Sequence, residues 1–302
     1  MKLFNPNKAS FGRHETFSLR YFWLTKGFQA LVENPNIFKS DAATVTLGVG
    51  KNMVNAIRYW LRSTQLIEDE NNVLKTTKLG NAIFATDGFD SFLEDDATLW
   101  VCHWQLATNA ELSTAIYWFF NCYHKPEFNS DETANALVDF VTHKLSGKHS
   151  EKTVRQEIAL ILRMYCPART RTKDIEDVLD SPLTALNLIS SMDGKNYRSL
   201  PASRETLPLG VFGFAINEIF NQLDTVSIPT KTLMYGEKNS VALGSIFRLT
   251  ENALISLVEQ LVAKYPNVFQ LNETAGIHQI FRNEKPDSMT FLNQHYQGTA
   301  QS

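Results

Sequence analysis

The stretch SDAATVTLGVGKNMVNAIRYWLRSTQLIEDENNVLKTTKLG, Ser40–Gly80, reads as one complete supersecondary unit. Ser40 or Asp41 is placed to cap a short helix over residues 41–47. Gly48-Val49-Gly50 supplies a sharp turn. Met53, Val54, Ile57, Trp60 and Leu61 then recur at helical spacing over residues 51–64. Leu66–Asp69 and Val73–Thr77, separated by the turn formers Glu70-Asn71-Asn72, predict a small hairpin closed at Leu79-Gly80. Helix, tight turn, helix, hairpin is the order of a winged helix-turn-helix, whose second helix can enter a DNA major groove.

Gly48-Val49-Gly50-Lys51-Asn52 also looks like a phosphate loop, but the spacing of G-x-x-x-x-G-K-[ST] is absent and no strong strand precedes it. As a helix-turn-helix turn it puts Lys51 and Asn52 at the N-terminal end of the recognition helix. Arg58 and Arg62 follow along that helix, and Lys75 and Lys78 lie on or after the wing. These six are candidate DNA contacts. Winged helices also bind protein or only support a fold, so the pattern alone leaves DNA contact open.

Working outward, Phe11–Phe17 opens the fold, and Leu19 with Tyr21–Leu24 predicts an aromatic helix that ends near Lys26-Gly27 and packs beneath the winged unit. A short helix falls within 81–92. Asp95 or Asp96 caps a helix over 97–108 rich in Trp100, Val101, Trp104 and Leu106. Further helices are expected over 113–123, over 131–145 behind Ser130, and over 151–165 behind Ser150. Short helical segments over 174–179 and 182–189, a strand over 197–200 and a helix over 207–223 follow. The last third repeats helix (230–235), loop, Thr250-capped helix (251–265) and hairpin (268–271 with 277–282). The expected fold class is mainly α with small β-hairpins, α+β. It comprises an N-terminal winged-helix domain (1–92), a central helical domain (93–206) and a C-terminal winged-helix-like lobe (207–302).

With 302 residues, 43% apolar and 20% charged, the composition fits an ordinary soluble globular protein. There is no apolar run of membrane length and no signal-peptide core, so a cytoplasmic location is expected. Cys102, Cys122 and Cys166 are few and far apart, which predicts mostly buried, reduced thiols and argues against a disulfide framework or a Cys-based zinc site. The net charge of −3 hides an asymmetry. Residues 1–80 carry eleven Lys and Arg against six Asp and Glu, and residues 144–173 carry eight against two. Phosphate binding follows such local fields, so the second region, with Arg169, Arg171 and Lys173, joins the candidate DNA contacts.

Arg13-His14-Glu15 sets an imidazole beside a carboxylate at an expected helix start. Such a pair can hold a divalent metal or activate water. It lacks the second His of H-E-x-x-H, and a bland alternative has Glu15 serving the helix N-terminus and His14 bonding a backbone carbonyl. Glu94-Asp95-Asp96 with His103 is the second candidate, since three carboxylates suit Mg²⁺ or Mn²⁺. The helix dipole equally favours acids there for capping. Asp174, Glu176, Asp177 and Asp180 form a third acidic group, readable also as a solvated face. Nucleotide fingerprints, a G-x-S-x-G elbow, a C-x-x-C pair and a recognisable nuclease core are absent.

Together these motifs resemble a family. Phe11–Phe17 with Arg20 and Trp23, Gly48-x-Gly50-Lys51-Asn52-Met53, Arg58-Tyr59-Trp60, Leu93-Glu94-Asp95 with Ala97–Trp100 and His103-Trp104, Asp180–Leu183 and Glu273–Gly276 resemble the domain of unknown function found in SspB proteins. The resemblance implies bacterial DNA phosphorothioation and phage defence, in which sulfur replaces a non-bridging phosphate oxygen. It also implies a DNA nickase working with SspA-like, SspC-like and SspD-like proteins. It implies no catalytic residues. The leading expectation is therefore a metal-assisted DNA nickase. The winged unit and the 169–173 loop would hold the duplex, Mg²⁺ or Mn²⁺ on Glu15 or on Glu94, Asp95 and Asp96 would activate water, and His14 or His103 would move protons. A non-catalytic DNA-binding adaptor or regulator of the same system is the alternative, and a scaffold that binds protein alone is the third reading.

Overall fold

Val54, Ile57, Trp60 and Leu61 are buried along one side of a helix spanning Lys51–Ser63, as their spacing requires. The computed structural model describes residues 1–167, 181–237, 240–274 and 277–299. Its first unit runs α1 (Trp23–Glu33), α2 (Ala43–Leu47), α3 (Lys51–Ser63), β1 (Ile67–Glu70) and β2 (Val73–Thr76). Gly48 ends α2 in the left-handed region at φ 65°, and Gly50 stands at the N-cap of α3. β1 and β2 pair antiparallel, Ile67 opposite Thr76. The winged helix-turn-helix is present as expected.

Two local expectations need correction. The aromatic helix does not end at Gly27 but begins at Trp23 and continues to Glu33. A Cβ on Gly27 would stand 2.5 Å from Ile57 Cγ2 and 2.8 Å from Leu61 Cδ1, so this glycine lets α1 and α3 approach each other. Residues 12–16, expected to start a helix, form a turn in which Glu15 and Thr16 have φ 51° and 68°.

α4 (Lys78–Phe84) leads to α5 (Asp96–Ala107), which is buried from Ala97 to Ala107 on every face. Asp95 caps it, accepting from the Ala97 N–H at 2.8 Å. A helix enclosed on all sides has no solvent for its polar groups, so most find a protein partner, although the Trp100 indole N–H has none. Thr98 meets the Tyr296 hydroxyl at 2.7 Å, and Gln105 accepts from Gln65.

The stretch expected to be helical also holds a sheet. α6 (Thr114–Asn121), β3 (Glu127–Asn129), α7 (Ser130–Lys144) and α8 (Glu151–Tyr165) are followed by a 3₁₀ turn at Pro182–Leu186 and by β4 (Ser190–Ser191) and β5 (Asn196–Arg198). Asn129, not Ser130, caps α7, accepting from Asp131 N–H. The antiparallel strand order is β3-β5-β4. The last third runs α9 (Leu209–Leu223), β6 (Ser227–Pro229), α10 (Thr230–Tyr235), α11 (Leu243–Ile246), α12 (Glu251–Lys264), β7 (Phe269–Thr274) and β8 (Ile277–Arg282), with order β6-β8-β7. In both units a lone strand feeds directly into the next helix and pairs with the second strand of the hairpin. The described residues thus form three winged-helix units, the first with a two-stranded wing. α13 (Met289–Thr299) packs on α9.

One continuous set of buried side chains runs through all three units. Arg248 joins the second and third. Its buried guanidinium donates to Ser199 Oγ at 2.9 Å and to the Phe119 and Tyr123 carbonyls at 3.0 and 3.3 Å, and burial lowers its pKa to about 9. Of the cysteines Cys102 is buried and Cys166 half-buried, while Cys122 is exposed, against the expectation of mostly buried thiols.

Candidate nucleic-acid interface

α8 is an amphipathic helix whose apolar side, Val154, Ile158 and Ile161, is interrupted by a carboxylate, Glu157. Glu157 is buried and accepts from the Gly12 N–H at 2.6 Å. His14 Nε2 lies 3.1 Å from the same oxygen, and His14 Nδ1 accepts from the Thr16 N–H, so the Nε2 proton points at Glu157. The His14 ring also stacks on Trp60 of α3, with ring centroids 6.1 Å apart. His14 therefore pins the 12–16 turn between α3 and α8. Arg13 and Glu15, its neighbours, are exposed on the other side of the turn. The pair His14-Glu15 does not converge on one site: the imidazole faces Glu157 and the core, the carboxylate faces solvent. Burial, and after it the charge of Glu157, raises the pKa of Tyr59 beside this pair. Glu157 was overlooked from sequence, although a carboxylate on the apolar side of a helix is itself a signal of a buried polar partner.

The six basic or amide candidates of the first unit separate into three settings. Lys51 and Asn52 are exposed at the N-terminal end of α3, where its first N–H groups face outward. Arg58 sits 3.9 Å from Asp69 of the wing, and Lys75 pairs with Glu70. Arg62 and Lys78 line a cleft of about 620 Å³ between the first and third units, whose other wall includes Phe214, Glu218 and Asn221. There Lys78 pairs with Asp287, which lowers the Asp287 pKa. Glu218, at the floor, accepts from the Trp104 indole at 2.6 Å, and burial raises its pKa. The wing itself presents Glu68, Asp69 and Glu70 to solvent. Lys75 and Lys78, expected to meet phosphate, are thus engaged by carboxylates, and the cationic end of this unit is the start of α3.

His103 does not occupy a site open to substrate. It is fully buried in α5, with Nε2–H donating to the Ile246 carbonyl at 2.9 Å and Nδ1 accepting from the Tyr165 hydroxyl at 2.9 Å. Burial lowers its pKa to about 3, so it stays neutral. It is a structural tie between α5, α8 and the α11 end, and its expected role in proton transfer is set aside.

The acidic turn is likewise organised from within. Buried Asp90 accepts from the Glu94 and Asp95 N–H groups at 2.8 and 3.1 Å. Asp95 accepts from the α5 N-terminus and lies 3.4 Å from His295 Nε2, while Glu94 and Asp96 are exposed. Capping is what Asp95 does here. A Mg²⁺ site needs several oxygen donors on one centre. Among the described residues no three His, Cys, Asp or Glu side chains gather in a way that could hold a metal ion, so Glu15, Glu94, Asp95 and Asp96 do not fit one as a set. Arg169, Arg171, Lys173 and the acids at 174–180 lie outside the described residues.

With that geometry in place, the relatives become informative. The family described as protein of unknown function (DUF4007) matches residues 11–296. This chain belongs to the DUF4007 family. Two solved structures are similar to it over 98% of its length, each with a TM-score of 0.86. One, an SspB crystal structure, is 28% identical with 91% of that chain covered. The other, a magnesium ion-bound SspB crystal structure, is 26% identical with 90% covered. No curated protein matches the chain. The SspB-like resemblance read from its motifs therefore holds across the whole DUF4007 fold. No helix among the described residues is long and apolar enough to cross a membrane.

Proposed function

We propose that this DUF4007 protein is a duplex-binding component of a bacterial DNA phosphorothioation and phage-defence system, working with SspA-like, SspC-like and SspD-like proteins in the cytoplasm. The observation that carries the reading is the full-length likeness to SspB structures. The winged unit adds a physical means, because α3 begins with exposed Lys51 and Asn52 beside helix N–H groups that no side chain caps, a combination suited to phosphate oxygens. The test is binding of a short labelled duplex to the full chain across a salt series. Tight, salt-dependent binding weakened by Lys51→Ala supports the proposal. Absence of duplex binding at low salt sinks it.

A second reading makes the chain the nickase itself, exchanging one P–O ester bond of a strand for a bond to a water oxygen. The magnesium-bound SspB structure among its relatives favours a divalent ion in that chemistry, and Glu15 is an exposed carboxylate on the turn between two cationic helices. Because the carboxylates do not gather, no step is routed through a metal here. Supercoiled plasmid incubated with the protein and Mg²⁺ or Mn²⁺ decides between the readings. Open-circle product that disappears in Glu15→Ala supports nicking at this turn, whereas no product with either ion leaves the duplex-binding adaptor.

A further inference from the structure

The three units place one helix each, α3, α8 and α12, at the position that enters a groove in DNA-binding winged helices. The three are in register. Counting from their N-caps Gly50, Ser150 and Thr250, the fourth residue (Val54, Val154, Leu254) and the eleventh (Leu61, Ile161, Leu261) are buried in each. The outward faces differ in charge. α8 presents Lys152, Arg155, Gln156, Ala159 and Arg163 to solvent. α12 presents Glu251, Asn252, Ser256, Glu259 and Gln260, with Lys264 as its one exposed cation. On α8 the carboxylate of Glu157 is withdrawn into the core by His14 and Gly12, leaving Glu151, paired with Arg155, as the exposed acid of the helix. A shallow groove over Ala159 is lined by Glu151, Lys152, Arg155 and Gln156.

We propose that α8 is a second duplex-contacting helix, binding DNA phosphates beside α3; the inference rests on the duplex-binding reading above. The 12–16 turn touches both helices. His14 stacks on Trp60 of α3 and bonds Glu157 of α8, Arg163 of α8 donates to the Thr16 carbonyl at 3.1 Å, and Arg13 is exposed on the same turn. The exposed cations of α8, a helix at the position that meets a groove in DNA-binding winged helices and tied to α3 through this turn, suit a polyanion with regularly spaced charge, which is duplex DNA. The middle unit, whose wing strands are two and three residues long, contributes its helix and not its wing.

Fluorescence anisotropy of the full chain with a short labelled duplex, repeated over a salt series, tests this. Lys152→Ala/Arg155→Ala is compared with Lys231→Ala/Lys264→Ala, which removes the same charge from the third unit, and with Lys51→Ala on α3. All five side chains are exposed, and circular dichroism checks each fold. The α8 variant is expected to weaken binding about tenfold and to flatten the salt slope by about 1, for the phosphate that Lys152 no longer neutralises, Arg155 being already paired with Glu151, while the third-unit variant changes neither. An α8 effect without any Lys51→Ala effect still supports α8 and overturns the role given to α3. A Lys51→Ala effect with unchanged binding in the α8 variant overturns the inference and leaves the duplex-binding reading standing. Equal losses in the α8 and third-unit variants reduce the effect to net charge and overturn the inference too. A wild-type chain that binds no duplex overturns both.

Discussion

The first and third winged units share a plan and differ at the outward face of the helix that the proposal sets against DNA. α3 begins with Lys51-Asn52 and carries no acid, whereas α12 begins with Glu251-Asn252 and adds Glu259. Their buried sides are equivalent, with aliphatic residues at the fourth and eleventh positions. The contrast teaches that packing needs specify the inward half of a groove helix and leave the outward half free to set its partner. Within the first unit the same separation appears between the helix start, which is cationic, and the wing, whose Glu68, Asp69 and Glu70 repel phosphate.

The largest expected effect comes from reversing the charge that distinguishes the two helices. Lys51→Glu with Asn52→Asp should weaken duplex binding about a hundredfold at low salt, because attractive interactions become repulsive ones. The reciprocal change, Glu251→Lys with Glu259→Lys on α12, should alter binding by no more than about threefold. Anisotropy titrations check both, and similar effects from the two pairs would erase the distinction drawn between the units.

A core substitution sharpens the comparison from the other side, since it should change stability without touching the cationic surface. His103→Leu strands the Tyr165 hydroxyl and the Ile246 carbonyl. Two buried groups left without partners cost about 2–4 kcal/mol, read as a lower urea midpoint, with the salt slope of any duplex binding unchanged. The same residue predicts acid sensitivity. Its folded pKa of about 3 lies below the ordinary 6.5, so the unfolded chain takes up the proton first as pH falls. Its contribution is full above pH 6.5 and declines progressively from there down to about pH 3, at about 1.4 kcal/mol per pH unit. Urea midpoints measured across that range should fall less steeply in His103→Leu than in the wild type.

The smallest expected effects separate the helix starts. Ser150 and Thr250 cap α8 and α12 through their side chains, whereas Gly50 of α3 has no side chain with which to do so. Ser150→Ala and Thr250→Ala should each cost about 1 kcal/mol in chemical denaturation. A cost near zero for both would mean that the N-terminal N–H groups of these helices are satisfied in some other way.

How much was legible in advance follows from range. α3 and α12 were readable because long apolar periodicity, a turn or cap residue and a hairpin lie next to one another in sequence. The middle unit was not recognised as a winged helix, since β3 and β4 are too short for an alternating pattern, and β3 finds its partner β5 across about 70 residues of chain. Gly27 was misread as a stop because its close partner, Ile57, lies on another helix. Local capping by Asp95 was foreseen among its alternatives, but the partners of His14, His103 and Lys78 are Glu157, Tyr165 with Ile246, and Asp287. Each lies far away in the chain, and no spacing rule reaches that distance. The candidate site was therefore legible as a basic end of the molecule, and its division into exposed, paired and buried residues was not.

The central claim is that duplex contact is carried by the exposed start of α3 and not by the acidic wing. Measuring the salt dependence of duplex binding for the wild type, Lys51→Ala and Lys75→Ala tests it most directly. The account predicts that Lys51→Ala lowers affinity and flattens the salt slope by about 1, while Lys75→Ala, already paired with Glu70, leaves the slope unchanged. A slope altered by Lys75→Ala and untouched by Lys51→Ala would contradict it.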